Sequence, residues 1–154
     1  MPLTKLLSKD HLLKEDPKLE QQWTQFQQLI QLIEERNLSD DLLNKLNTEI
    51  EKVNHVEEDA KSLQKVIKSS QNQMIRLLEK EAKIVPQGYY RNLWLALGMS
   101  TFGIPLGIIL GLSMGNMGFL GIGLPIGLGI GVAVGSMFDK KAADEGRQLA
   151  IELK

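Results

Sequence analysis

One pattern is written twice near the end of this chain: residues 103–115 read GIPLGIILGLSMG, and residues 123–135 read GLPIGLGIGVAVG. In both copies a glycine recurs at every fourth position, and a proline stands two residues after the first glycine. Positions four residues apart lie on one face of an α-helix. Each copy therefore predicts a helix with one face that carries no side chains.

The two copies lie inside a long segment without charge, residues 92–138, which has no Asp, Glu, Lys, Arg or His. One membrane span needs about 20 apolar residues, so this segment is long enough for two spans and a tight connection. The turn-prone residues GNMG, 115–118, stand near its middle. We therefore predict spans at about 93–114 and 119–138, both helical because lipid cannot hydrogen-bond to backbone groups.

A soluble alternative is an apolar hairpin buried at the centre of a globular protein. The whole chain has 154 residues, and the part outside the apolar segment is too small to cover two such helices on all sides. The membrane interpretation is therefore favoured.

The glycine rows predict how these helices pack. In lipid, helices associate through close backbone approach and van der Waals contact, which rows of small residues permit. The two rows can face each other within one hairpin or face neighbouring copies of the chain, and Gly121 and Gly129 give the second span another smooth face. The predicted packing and oligomerisation positions are Gly103, Gly107, Gly111, Gly115, Gly123, Gly127, Gly131 and Gly135.

The prolines of the two copies predict a matched pair of kinks. Pro105 and Pro125 fall near the middle of the membrane when the chain is folded at about Asn116. Each proline removes the backbone hydrogen bond to the residue four positions before it. The kinks either shape a curved packing surface or form a moving hinge, and the packing role is favoured.

Basic residues flank only the outer ends of the segment, and tyrosine and tryptophan stand at the first of these ends. Amphipathic aromatic rings prefer the headgroup region, and basic residues are retained on the cytoplasmic side. We therefore expect a multi-pass protein of the cell (inner) membrane with both termini in the cytoplasm. The predicted interface anchors are Tyr89, Tyr90, Trp94, Arg91, Lys140 and Lys141.

The N-terminal half predicts soluble helices. Asp16 and Pro17 form a helix start, and apolar residues spaced by three or four predict an amphipathic helix to about Arg36. A second helix is expected from about 40 to 83, since no Gly or Pro interrupts it. A helix of that length favours self-association. Three polar residues stand where a continuous coiled coil needs apolar ones, so the coiled coil is imperfect: Glu57, Gln64 and Gln71.

The expected fold class is therefore all-α, with a cytoplasmic helical hairpin or imperfect coiled coil followed by a two-span transmembrane hairpin. We assign residues 1–85 to a cytoplasmic helical domain and residues 86–138 to the transmembrane hairpin. Residues 139–154 are expected to form a short cytoplasmic amphipathic tail.

The residue types argue against several chemistries. The chain has no cysteine and a net charge of −1, which disfavours thiolate sites and binding to nucleic acid. His11 and His55 have no ligand spacing around them, so neither a metal nor another cofactor is expected. The GLSMG around Ser113 matches the nucleophile elbow of hydrolases, but no histidine follows it. We expect a protein that is not an enzyme.

The apolar segment begins with PQGYYRNLWLALGM (86–99) and is followed by DKKAADEGRQL (139–149). Together with the glycine rows, these sequences resemble the glycine-zipper small membrane proteins of bacteria. The resemblance is limited to the C-terminal hairpin. It implies oligomerisation in a bacterial inner membrane and carries no functional residues with it.

Two functions are compatible with these observations. The favoured one is an oligomeric membrane scaffold or interaction module, anchored in lipid, that binds other copies of itself or a cytoplasmic protein through residues 17–84. The alternative is a pore or channel, holin-like or a defence effector, assembled from the same hairpins.

Overall fold

The computed structural model describes residues 2–13, 16–56 and 59–153. It is 76% helical, which confirms the predicted all-α class. Glu57 and Lys154, which belong to the predicted coiled coil and tail, lie outside the described residues. The helices in the described part are α1 (Asp10–Leu13), α2 (Pro17–Glu34), α3 (Asp40–Asn54), α4 (Ala60–Leu77), α5 (Tyr89–Gly98), α6 (Ile104–Ser113) and α7 (Leu120–Asp144).

Short elements join these helices. A π-helical turn over Leu78–Ala82 prolongs α4, another over Met99–Gly103 joins α5 to α6, and a 3-10 turn over Met117–Phe119 precedes α7. The strands β1 (Val85–Gln87) and β2 (Gln148–Glu152) pair as a small parallel sheet. The chain divides into two compact units, Met1–Val85 with Leu149–Lys154, and Pro86–Gln148.

The start of α2 follows the predicted signals. The carboxylate of Asp16 accepts a hydrogen bond from the Lys18 amide at 2.8 Å, and Pro17 occupies the first helical position, where its missing N–H costs nothing. Ser39 caps α3 in the same way, through the Leu42 amide. Both predicted helix starts are confirmed.

The single long helix expected over about 40–83 is wrong, because the structure has two helices there, α3 and α4. Helix α3 ends at Asn54, and α4 begins after Asp59, whose carboxylate accepts hydrogen bonds from the amides of Lys61 and Ser62. The helices pack against each other in antiparallel fashion: Lys45 near the start of α3 pairs with Glu81 beyond the end of α4, at 2.8 Å. The break lets each apolar stripe cover the other.

This break also changes the role of the apolar stripe. Ile50 and Ile67 belong to the segment for which self-association is favoured, but they have no exposed area and lie in one core within the chain. Residues from α2, α3 and α4 supply most of that core. Its largest fully buried side chains include those of Leu19, Phe26, Leu29, Ile33, Leu46, Leu63 and Met74.

The C-terminal strand belongs to the same core. Leu149 and Ile151 of β2 are 1% and 7% exposed and join the cluster formed by the helices. The residues assigned to a separate tail are thus divided: 139–144 are the last turns of α7, and Leu149 onward completes the first unit. The hairpin segment is an insertion within the chain of the first unit.

The Asp59 cap predicts a pH dependence. Hydrogen bonds from the Lys61 amide, the Ser62 hydroxyl and the Ser62 amide hold the pKa of Asp59 below its ordinary value. A depressed folded-state pKa contributes stability above the unfolded pKa of about 3.9, and the contribution is lost as the pH falls through the folded value. We expect Asp59→Asn to lower the melting temperature at pH 7, and we expect this difference to decrease as the pH falls below the unfolded pKa of about 3.9. A difference in melting temperature that persists at the lower pH would contradict this explanation.

Candidate functional site

The second unit is a hairpin of two long helices. The segments Tyr89–Ser113 and Met117–Asp144 are 25 and 28 residues long, and both are long and apolar enough to cross a membrane. The turn between them forms where predicted: Gly115 has a positive φ of 65°, and Asn116 donates its amide to the Gly111 carbonyl at 3.1 Å. In the most apolar 18-residue stretch of each helix, only 22% and 17% of the stretch is buried, respectively.

The two glycine rows face each other across this hairpin. A Cβ atom added at Gly127 would lie 2.5 Å from the Gly103 nitrogen, and one added at Gly123 would lie 2.5 Å from the Gly107 Cα. Real Cβ atoms essentially never approach backbone this closely. Of the two arrangements that the sequence leaves open, the structure has the one within a single hairpin. Six of the predicted positions are buried, and a Cβ added at any of them would lie 3.2 Å or less from a backbone atom of the opposite helix: Gly103, Gly107, Gly123, Gly127, Gly131 and Gly135.

The contact continues past the first repeated pattern toward the start of α5. A Cβ at Gly135 would lie 2.5 Å from the Arg91 Cα. Gly98, which the sequence reasoning missed, is also buried, and its Cβ would lie 2.8 Å from the Gly131 Cα. The row of the first helix is therefore Gly98, Gly103, Gly107 and Gly111.

A π-helical turn explains why Gly98 escaped the pattern. Gly98 precedes Gly103 by five residues, and in a regular α-helix this spacing would move Gly98 off the contact face. The π-helical turn Met99–Gly103 has an i to i−5 hydrogen bond from the Ile104 amide to the Met99 carbonyl. This turn absorbs the extra residue, so the five-residue spacing stays on the contact face.

Gly111 and Gly115 differ from the other predicted positions. The nearest atom to a Cβ at Gly111 is the flexible Met117 Sδ at 3.1 Å, so this glycine contacts the turn. A Cβ at Gly115 would meet nothing within 4 Å, and its positive φ makes it a turn residue. Gly115 thus makes no contact with the opposite helix of its own hairpin, and its part in oligomerisation stays a prediction. Gly121 and Gly129 are also open within the chain, as the second smooth face requires.

The structure treats the two prolines differently. Pro105 is the second residue of α6 and directly follows the π-helical turn, whereas Pro125 lies inside the continuous helix α7. Both prolines are exposed on the outside of the hairpin. The matched pair of kinks stays a prediction.

The end of the hairpin away from the turn holds a cluster of aromatic residues. The Trp94 ring stacks on Phe138 with centroids 5.9 Å apart and planes inclined by 13°, and Tyr90 lies 5.8 Å from Phe138. Tyr89 packs edge-on against Tyr90 at 5.2 Å. Three of the predicted anchors thus form one cluster, completed by a phenylalanine of the other helix.

A carboxylate on α7 caps the start of α5. The oxygens of Asp139 accept hydrogen bonds from the amides of Tyr90 and Arg91, both at 3.0 Å. Gly88, the residue before α5, has no side chain that could serve as a cap. Asp139 therefore replaces a local cap and brings a negative charge to the positive end of the helix dipole.

We expect Asp139→Ala to destabilise the hairpin by about 1–2 kcal/mol, since two capped amides lose their acceptors. Amide hydrogen exchange should accelerate at Tyr90 and Arg91. The matched control is Asp144→Ala, an exposed carboxylate on the same helix. Equal exchange rates in the two variants would contradict the capping role.

Basic residues surround this same end. Lys140 and Lys141 are exposed near the end of α7, where cations interact favourably with the helix dipole. Arg91 is exposed in the first turn of α5. Arg147 pairs with Glu145, and this carboxylate, followed by the Tyr90 hydroxyl, raises the pKa of the guanidinium above its ordinary range. The turn end, residues 114–118, has no basic residue.

The outside of the hairpin is apolar. Large aliphatic, methionine and aromatic side chains are exposed along both helices, as glycines occupy the inside. A soluble core helix would be mostly covered. The exposed set includes Leu93, Leu97, Phe102, Ile104, Ile108, Ile109, Leu112, Ile122, Leu124, Ile126, Val132 and Met137.

The residues singled out for chemistry are not brought together. Ser113 is the last residue of α6, so no strand precedes it as a nucleophile elbow requires. Within the described ranges, no group of three or more His, Asp or Glu side chains is placed to hold a metal ion. His55 is the C-cap residue of α3, and its ring nitrogen lies 2.7 Å from the Glu51 carbonyl oxygen.

In comparisons with protein-family models, curated proteins and solved structures, nothing matches this chain.

Proposed function

We propose that this chain is an integral membrane protein whose hairpin anchors the first unit to the cytoplasmic face of an inner membrane, where that unit acts as a scaffold or interaction module. The observation that carries the proposal is that small and large residues occupy different sides of the hairpin helices. Glycines close it on the inside, and apolar side chains cover its outside. Such a surface is stable in lipid and costly in water.

The charge distribution supports the orientation. The two helix ends that carry Arg91, Lys140 and Lys141 lie together, opposite a turn without basic residues. Retention of basic residues on the cytoplasmic side places both ends of the hairpin there. The first unit, joined to both of these ends, is then cytoplasmic as well.

The contacts of the hairpin favour a scaffold over a pore. The glycine rows contact each other inside one hairpin, so their backbone is not presented to a neighbouring copy. The hydroxyl of Ser100 donates to the Ala96 carbonyl at 3.0 Å, so its polarity is satisfied by its own helix. In an oligomer, each hairpin presents apolar side chains to the neighbouring hairpins. We therefore propose that the hairpins associate without enclosing a water-filled pathway.

Cysteine labelling tests the proposal, and the absence of native cysteine makes each introduced thiol unique. In intact bacterial cells, Asn116→Cys is expected to react with a membrane-impermeant maleimide. Ser8→Cys, exposed on the first unit, should react only after the cells are permeabilised. The reverse pattern would overturn the orientation, and reaction of both without permeabilisation would overturn the anchor.

A flux measurement separates the scaffold from the pore. Vesicles containing the purified protein are expected to retain a small entrapped dye and to hold a potassium gradient. Leakage that depends on the protein concentration would favour the pore and contradict the scaffold.

A further inference from the structure

An extended N-terminal arm, residues 2–9, lies along α3 without forming a helix or a strand. Its first contact is with Asn47, which is 5% exposed. The Asn47 side chain accepts a hydrogen bond from the Thr4 amide at 2.6 Å and donates one to the Pro2 carbonyl at 3.2 Å. One amide side chain thus supplies hydrogen-bond partners for the backbone groups on both sides of Leu3.

The same arrangement is repeated one step further along. The Asn54 side chain accepts a hydrogen bond from the Leu7 amide at 2.9 Å and donates one to the Lys5 carbonyl at 3.1 Å. It therefore satisfies the backbone on both sides of Leu6. The buried Lys9 ammonium donates to the Asn54 carbonyl at 2.8 Å, at the negative end of the α3 dipole.

The two asparagines fit the repeat of an extended chain. They are seven residues apart on α3, which corresponds to about 10.5 Å of helical rise. The peptide units that they bind are three residues apart on the arm, and three residues of extended chain span about 10 Å. Asparagines at this spacing on a helix can therefore hydrogen-bond to every third peptide unit of an extended chain that lies along the helix.

The side chains of the arm add selectivity. Leu3 and Leu6 are partly buried and pack against the core of the first unit. Leu7 is 56% exposed. Hydrogen bonds to the backbone together with apolar contacts at selected positions are the way in which binding domains hold extended peptides.

We infer that the surface of α3 around Asn47 and Asn54 is a binding site for an extended peptide with leucines three residues apart, and that it accepts the arm of a second copy of this chain in place of its own. The contacts in the exchanged form are identical to those within one copy. Exchange of identical segments is a low-cost route to oligomers.

This inference deepens the proposed scaffold function and rests on it in one respect, since anchoring in a membrane brings copies to high local concentration. The arm of one copy competes with that of another according to effective concentration. The site thereby supplies a physical means by which copies associate.

The first experiment measures capture of a free arm. A fluorescent peptide with the sequence of residues 2–9 is titrated in detergent against the full chain and against Leu3→Asp/Leu6→Asp, whose own arm is released by charge at two partly buried positions. We expect the released variant to bind at least about tenfold more tightly, since the cis arm no longer competes. A second variant, Thr4→Pro, removes one amide donor without adding charge and should shift binding in the same direction.

The asparagines are tested in the released background. Asn47→Leu is expected to weaken peptide binding by about tenfold, the effect of two lost hydrogen bonds. Asn44→Leu is the matched control, an exposed asparagine on the same helix, and should leave binding unchanged. Equal binding by the released and unaltered chains, or no effect of Asn47→Leu, would overturn the peptide site.

The second experiment tests the second copy as occupant. One copy carries the released arm and an intact site, and the other carries an intact arm with Asn47→Leu and Asn54→Leu. With differently tagged copies, mixed pairing is expected to exceed the pairing of either copy with itself. If the released copy binds the free peptide but mixed pairing shows no excess, a second copy is not the occupant.

These outcomes are separable from failure of the membrane proposal. Peptide capture is measured in detergent and does not require the hairpin to span a bilayer. A hairpin that fails the labelling test leaves peptide capture intact, and a failed peptide titration leaves the labelling pattern intact.

Discussion

Replacing Gly127 with isoleucine is expected to force the two helices of the hairpin apart. A Cβ at this position would lie 2.5 Å from the Gly103 nitrogen and 2.6 Å from both the Gly103 Cα and the Gly98 oxygen. These neighbours are backbone atoms, which cannot turn aside as a side chain can. Overpacking costs about 1–3 kcal/mol and occasionally more, and we expect a loss of about 3 kcal/mol or more because contacts along the whole row are affected.

The same helix offers a matched control. Gly129 is two residues further on, and a Cβ there would meet nothing within 4 Å. Gly129→Ile should therefore leave the hairpin closed, although it adds the same side chain to the same helix.

The separation can be measured between spin labels on Leu93→Cys and Met137→Cys, two exposed positions. We expect a narrow distance distribution in the parent and in Gly129→Ile, and a broad, longer one in Gly127→Ile. Membrane insertion should be equal in all three, since isoleucine is more apolar than glycine. An unchanged distribution in Gly127→Ile would show that the glycine contact does not hold the helices together.

Replacing Leu149 with alanine is expected to destabilise the first unit by about 2–5 kcal/mol, the range for a large-to-small change in a core. Leu149 is 1% exposed and lies in the cluster with the helices of that unit. It is far from them in sequence, beyond the whole hairpin. The stability of the N-terminal helices therefore depends on a strand that follows the hairpin.

The two tryptophans allow the units to be followed separately. Trp23 is 4% exposed in α2, whereas Trp94 belongs to the hairpin. In a Trp94→Phe background, denaturant unfolding followed by Trp23 fluorescence should show the loss of stability. Leu7→Ala removes an equal side chain from an exposed position and is the control. A midpoint as high in Leu149→Ala as in Leu7→Ala would contradict the assignment of β2 to this core.

Local signals explain which parts of the fold were predictable. The start of α2 was predicted because Asp16 and Pro17 satisfy the helix end with groups that are adjacent in sequence. The break between α3 and α4 was missed because no Gly or Pro marks it. It is stabilised by the Asp59 cap and by packing of two apolar stripes against each other, and a periodic pattern does not distinguish that packing from association between copies.

The candidate site shows the same limit. The four-residue glycine spacing predicted the contact face, but Gly98 joins it only through the π-helical turn. Asp139 was assigned to a short amphipathic tail, because a cap that reaches across 49 positions of sequence to Tyr90 leaves no local pattern.

The sequence by itself determined that the chain is helical, that two segments are long and apolar enough to span a membrane, and that each carries a glycine face. These properties follow from periodicity and solvation, which depend on residues close together along the chain. The tertiary structure alone decided that the glycine faces meet within one hairpin, that β2 returns to the first core, and that the arm lies on Asn47 and Asn54. Each of these depends on atoms brought together from distant positions, where the free energy comes from contact geometry and close packing.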